Sequence, residues 1–222
     1  MANPPAQVPL PPIPQLPNPR VFDPSAQLPA RLQLRIDSWQ NNPPASQFQT
    51  YGPISGYLHN KFPSDYFLIK PQAYLSSVSK QPGGHHRIDS HGTAVDQDRQ
   101  YPDFTVCQFF GADSDNTPGD VVRVVYEIGT KTDPLSKLEV LRQLRTYLQA
   151  ITARRYDEWL LGVGQVGNEV YLFSNQHSGT FLSAYPNIDW ISLFDHRFTD
   201  QLNQIRDLGY ANDQVLSLRQ NV

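Results

Sequence analysis

Pro102-Asp-Phe-Thr-Val-Cys-Gln-Phe-Phe110 and Val121-Val-Arg-Val-Val-Tyr-Glu-Ile128 are two apolar runs separated by Gly111-Ala-Asp-Ser-Asp-Asn-Thr-Pro-Gly-Asp120. The runs are rich in β-branched and aromatic residues. The spacer has the glycine, proline, asparagine and aspartate of a loop, so the pattern predicts a β-hairpin. Antiparallel pairing about the middle of the spacer sets residue 103 opposite residue 128 or thereabouts. Asp103 opens one strand and Glu127 sits near the end of the other, which brings two carboxylates to one end of the sheet. Like charges at that range repel, and such a pair is stable only with a cation, a proton or a basic side chain between them. A hydrated Mg²⁺ ion is a usual occupant. Glu127 also interrupts a run that reads as buried, where an unpaired charge is costly.

Outward from the hairpin, Asp133-Pro134 opens the longest helix, to about Arg155, with Asp133 as N-cap and Pro134 at the first helical position. Leu138, Leu141, Leu144, Leu148 and Ile151 recur every three or four residues as its buried stripe. Glu158–Gly164 and Glu169–Phe173 follow as a second hairpin around Gln165-Val-Gly-Asn168. Before the first hairpin, Tyr51–Phe62 reads as a short helix with Pro53 in a permitted first turn, and Tyr66–Leu75 as a strand that Pro71 interrupts or pushes to an edge. Residues 76–100 are a long polar loop. Ala30–Gln40 has helical spacing, residues 188–194 suit either a strand or a helix, and Thr199–Leu208 is helical.

Ten of the twenty prolines fall between Pro4 and Pro29, a density that rules out regular hydrogen-bonded structure and favours extended, polyproline-like chain. Residues 1–29 are therefore read as a disordered proline-rich arm, and residues 30–222 as a single α/β domain. Within the arm, Pro9-Leu-Pro-Pro-Ile-Pro-Gln-Leu-Pro17 has the form of a ligand for an aromatic groove on a protein partner, against the simpler reading of a loosely attached tail.

The net charge of −3 argues against a surface that attracts nucleic acid everywhere, yet it is unevenly spread. From Lys131 to Arg155 six basic residues face two acidic ones, so a local basic face stands in an otherwise acidic chain. A single cysteine, Cys107, excludes an internal disulfide framework and a multi-thiolate metal site, and favours a reducing compartment. No apolar run is long enough to span a membrane, and no secretory signal pattern is present. The expectation is a soluble intracellular protein of the cytoplasm or nucleus, with no membrane partner.

Pro102-Asp103, Glu127 at the end of an apolar strand in Val-Val-Tyr-Glu-Ile-Gly, and Gln143-Leu-Arg-Thr-Tyr147 on the following helix together resemble the PD-(D/E)XK, or restriction-endonuclease-like, nuclease superfamily. The last run is similar to the Q-x-x-x-Y element of its exonuclease branch. The resemblance covers residues 51–174 and implies an αβββαβ core, a mixed sheet flanked by helices. It further implies Mg²⁺-dependent phosphodiester cleavage, with Asp103 and Glu127 as metal ligands and catalytic residues. The family's lysine stands two residues beyond the glutamate, on the same strand face roughly 6.6 Å away. Here that position is Gly129, and Lys131, two residues further on, is either its substitute as a catalytic residue or a solvated lysine just before the helix cap. A second departure is the absence of any acid between Tyr51 and Phe62, where many active members supply a glutamate. On the long helix, Gln143, Tyr147 and Arg154 fall on one polar flank beside the apolar stripe and are the candidate substrate-binding residues.

The competing reading is a non-catalytic interaction or nucleic-acid-binding protein that keeps the nuclease fold, favoured by the two departures. A third is an unrelated α/β fold whose acids are structural, with Glu127 paired to Arg123 or Lys131. His85-His-Arg-Ile-Asp-Ser-His91 holds enough imidazole and carboxylate for a metal site, although polar loops commonly carry such residues. Asp96 and Asp98 read as solvated. Gly162-Val-Gly-Gln-Val-Gly167 joins two strands and is not a phosphate loop.

Overall fold

The computed structural model describes residues 21–72, 87–88, 94–95, 101–109, 120–152, 160–174, 182–183 and 189–220. The chain runs α1 (Ala30–Asp37), α2 (Gln47–Lys61), β1 (Phe67–Pro71), β2 (Arg87–Ile88), β3 (Ala94–Val95), β4 (Phe104–Phe109) and β5 (Asp120–Ile128). It continues through α3 (Pro134–Thr152), β6 (Leu161–Val166), β7 (Glu169–Ser174), β8 (Leu182–Ser183), β9 (Ile191–Ser192) and α4 (His196–Gln220). The fold is α/β: a mixed sheet in the order β1-β4-β5-β6-β7-β8, with β9 also on β7, flanked by helices. The β5–β6 pair is parallel, and the strands of the other pairs in this sheet are antiparallel. A parallel neighbour cannot be reached by a tight turn, and α3 supplies the crossover between β5 and β6. β2 and β3 form a separate two-residue ladder.

Each face of the sheet has its own core, assigned by the two-residue alternation of the strands. Phe104 and Val106 of β4, with Val124, Tyr126 and Ile128 of β5, pack with Ile54, Tyr57 and Leu58 of α2 and Phe198, Leu202 and Ile205 of α4. Val125 packs with Val140, Leu144, Leu148 and Ile151 of α3. Glu127 has the parity of Val125, so the alternation itself turns it toward α3. On that face β6 carries Gly164, where a Cβ would lie 2.6 Å from Val140 Cγ1; the missing side chain lets α3 settle close to the strand.

Several expectations change. The Tyr51 helix begins at Gln47, so Pro53 lies inside it rather than in its first turn, at the cost of one i→i−4 hydrogen bond. Leu138 is 64% exposed, and the buried stripe of α3 runs instead through Val140, Leu144, Tyr147, Leu148 and Ile151. The turn of the second hairpin tightens to Gly167-Asn168, where Gly167 takes φ +63°, a left-handed conformation suited to glycine. β1 is an edge strand of the sheet order, as Pro71 required, and α4 is far longer than the Thr199–Leu208 helix read from the pattern.

Residues 21–29, assigned to the arm, pack onto the domain; residues 1–20 lie outside the described residues. Phe22 is buried against Tyr57 and Phe194, with ring centroids 4.8 and 5.8 Å away. Asp23 is buried with Lys61: Lys61 Nζ donates to Asp23 Oδ2 at 2.7 Å, to Ser25 Oγ at 2.7 Å and to Asn203 Oδ1 at 2.5 Å. Tyr57 OH also donates to Asp23 Oδ2, at 2.8 Å. Among the described residues, no helix is long and apolar enough to cross a membrane.

Candidate functional site

Asp103 and Glu127 converge. The β4–β5 register pairs Phe104 with Tyr126, which leaves Asp103 opposite Glu127 at the end of the sheet, one position from the sequence expectation. The Asp103 backbone N–H donates to Glu127 Oε2 at 3.3 Å, and the Ile128 N–H returns to Asp103 Oδ2 at 2.7 Å. The second oxygen, Asp103 Oδ1, accepts from Gln47 Nε2 at 2.8 Å, and the Asp103 carbonyl accepts from Tyr51 OH at 3.2 Å. The two strand ends and the first turn of α2 are thus held through Asp103.

Both carboxylates are nearly buried, at 5% and 7% exposure. Burial raises the Asp103 carboxyl above its ordinary range, opposed by the bonds from Ile128 and Gln47. Glu127 is pushed up to about 9, first by burial and then by the charge of Asp103. At neutral pH the pair therefore holds a proton on Glu127, one of the three ways such an arrangement is stabilised. Neither carboxylate forms an ion pair among the described residues. Arg123, one partner considered for Glu127, instead donates from Nε to Gln108 Oε1 at 3.2 Å.

Glu127 opens onto a cleft of about 510 Å³ lined also by Gln47, Lys131, Asp133, Leu135, Glu139 and Gln143. Lys131 and Gln143 therefore share one concavity with Glu127. Lys131 is exposed and held at the backbone by a bridge to Ser46, just ahead of α2. Asp133 caps α3, its Oδ1 accepting from Ser136 N at 2.7 Å. Burial raises the Tyr147 phenol, and the charges of Glu127 and Asp103 raise it further. Its hydroxyl, however, donates to the Tyr101 carbonyl at 3.2 Å, so it braces the segment leading into Asp103. Arg154, and the His85–His91 cluster apart from the backbone of Arg87 and Ile88, lie outside the described residues.

Position 129, two residues beyond Glu127, is filled rather than vacant. A Cβ on Gly129 would lie 2.8 Å from Val166 Cγ2 and 3.3 Å from Val140 Cγ2, and the Gly129 N–H donates to the Gln165 carbonyl at 2.8 Å. Gly129→Lys should therefore cost about 1–3 kcal/mol by overpacking and add no activity. Urea denaturation together with a cleavage assay checks this; a stable, newly active variant would contradict it.

Gln47 is the site residue that the sequence reading missed. Starting the helix at Tyr51 left residue 47 in a loop. The available signal was Ser46-Gln-Phe-Gln49, a capping-box spacing; in the structure Gln49 Oε1 accepts from Ala45 N at 2.9 Å.

A hydrated Mg²⁺ ion fits this donor set in kind. Magnesium keeps several waters and is commonly held by only one or two carboxylates, and Glu127 faces open volume beside the buried Asp103. Among the described residues no group of three or more acidic, histidine or cysteine side chains could hold a metal, so the protein would supply two carboxylates and no more. Comparison with protein-family models, with curated proteins and with solved structures finds no match to this chain.

Proposed function

We propose that this is a nuclease-like domain of restriction-endonuclease-like architecture, in which the Asp103–Glu127 pair receives a divalent cation, Mg²⁺ by its chemistry, for work on phosphodiester bonds. The observation that carries this reading is the pairing of two nearly buried acidic residues at one sheet end, where the Asp103 backbone N–H donates to Glu127 Oε2 at 3.3 Å and Glu127 lines a 510 Å³ cleft. Within the main sheet the order α2, β1, β4, β5, α3, β6, with β5 parallel to β6, supports this reading.

Asp103 and Glu127 would hold the metal, which when bound would polarise a phosphoryl oxygen and acidify water. Asp103 is oriented for this by the Ile128 N–H and the Gln47 amide. Glu127 must give up its proton before it can act as a ligand, which makes occupancy steeply pH-dependent. Lys131, lining the same cleft, is the cation available to a phosphate or an attacking water, and Gln143 is a neutral hydrogen-bonding partner beside it.

A second reading, a nuclease-derived protein that binds nucleic acid or another partner without cleaving, is favoured by two residues. Gln47 places an amide on Asp103 where the family resemblance implies an acid, and Gly129 has no room for a lysine.

Incubation with Mg²⁺ or Mn²⁺ and single- or double-stranded substrates separates the two. Cleavage by the parent protein, reduced by about 10²-fold or more in Glu127→Gln, supports the enzyme. Equal cleavage by both removes it, and salt-dependent binding without cleavage by either identifies the binder.

A further inference from the structure

On the far side of the first turns of α3 lies a second groove, of about 410 Å³, that the proposed chemistry does not use. Pro134, Leu138, Leu141 and Trp190 form its apolar lining, and Lys137, Glu169 and Asp189 its polar rim. Trp190 is held as a platform, with the Tyr171 ring edge-on at 5.8 Å and Lys137 Nζ over its face at 5.1 Å. Lys137 is itself fixed by Glu169 at 2.7 Å. Leu138, largely exposed, lies open beside it. A tryptophan flanked by aliphatic side chains and an acidic rim is the surface that a polyproline helix carrying a nearby cation fits, because such a helix is preformed and loses little entropy on docking.

The chain carries such a ligand. Pro9-Leu-Pro-Pro-Ile-Pro-Gln-Leu-Pro17 is followed by Arg20, and residues 1–20 include no acid. The groove's rim is net negative through Glu169 and Asp189 against Lys137, complementary to that segment.

Reach is sufficient. Phe22 is anchored with its ring 5.8 Å from that of Phe194, and Phe194 lies four residues beyond Trp190, at most about 14 Å of extended chain. A polyproline helix from Phe22 back to Pro14 spans about 25 Å. We infer that residues 9–17 dock in cis on the Trp190 groove, as an internal ligand seated beside the Glu127 cleft.

The test keeps the full chain. A nitroxide on Ala6→Cys, with Cys107 left in place because it is buried, is combined with ¹⁵N labelling. The Trp190 indole signal is identified as the one missing from Trp190→Phe. The expected result is loss of that signal in the oxidised sample, recovery on reduction, and no loss when Pro9, Pro11, Pro12 and Pro14 are replaced by serine. An unaffected signal, or equal loss in the serine variant, overturns the inference. Loss that appears when the spin-labelled chain is mixed with a separate ¹⁵N chain assigns the groove to a second copy and overturns docking in cis.

Discussion

Lys61→Ala is expected to lower folding stability by about 3–5 kcal/mol, the usual cost of removing one partner from a buried ion pair. Lys61 and Asp23 are 0% and 1% exposed, so neither charge has water to fall back on. Burial alone would raise the Asp23 carboxyl, but the bonds from Lys61, Ser25 and Tyr57 hold it below its ordinary range, while burial draws the Lys61 ammonium down against the pull of Asp23. Removing the ammonium leaves the buried Asp23 carboxylate to neutral donors, the Tyr57 hydroxyl and the Ser25 hydroxyl and N–H. It also releases Asn203 of α4 and Ser25. Removing both charges together, as Lys61→Met with Asp23→Asn, should recover part of the loss. Urea denaturation of the three proteins at pH 7 checks this. A Lys61→Ala protein within about 1 kcal/mol of the parent, the range of ordinary substitutions, would mean that the network contributes little.

The second large effect is a pH dependence centred on Glu127. Its carboxyl titrates at about 9 in the fold against an ordinary value of 4.5, so the folded state binds a proton that the unfolded chain has released. The sign follows. The stabilisation is fully present below about pH 4.5 and is lost as pH rises toward 9, by up to about 1.4 kcal/mol for each unit of that interval. Glu127→Gln keeps the neutral shape without the proton. It should be more stable than the parent at pH 8 and should lose less stability between pH 5 and pH 9. Denaturation curves for the two proteins that stay parallel across that interval would show that Glu127 is not the group responsible. Adding Mg²⁺ at pH 8 should narrow the gap if the carboxylates receive the ion, because binding stabilises the folded chain.

The parts of this fold that could be read from the residues alone are those where one local rule acts undisturbed. The 104–109 and 120–128 runs pair antiparallel with one bulge at Val106 and Cys107, and counting from their loop places Asp103 within one residue of its observed partner. Asp133-Pro134 marks the start of α3 because capping and proline chemistry are local. Where tertiary packing overrides the local rule, the reading shifts. Pro53 suggested a helix start, yet α2 extends to Gln47 because its N-terminal turn is tied to the sheet end through Asp103. Leu138 has the period of the buried stripe, yet the helix meets β6 through Val140 and Leu144, against the glycine at position 164. Prolines near residue 24 suggested a free arm, but one phenylalanine and one aspartate among them find partners in α2 and α4, contacts invisible to any window of sequence. The carboxylate pair was legible; its neutral companion, Gln47, depended on a helix boundary, which is the least local of these features.

The bond between Ser25 and Asn203, separated by 178 positions, and that between Lys61 and Asn203 set an order on how the molecule is made. During translation the strands emerge and can pair while one flank of the sheet still lacks its covering. The bonds of Ser25 and Lys61 to Asn203 have nothing to close upon until α4 has left the ribosome. Contacts this distant along the chain form late and slowly, so the nascent protein passes through a stage in which the core around Phe67, Phe104 and Val124 has α2 but lacks the cover that α4 supplies. A chaperone that shields apolar surface would act during that interval.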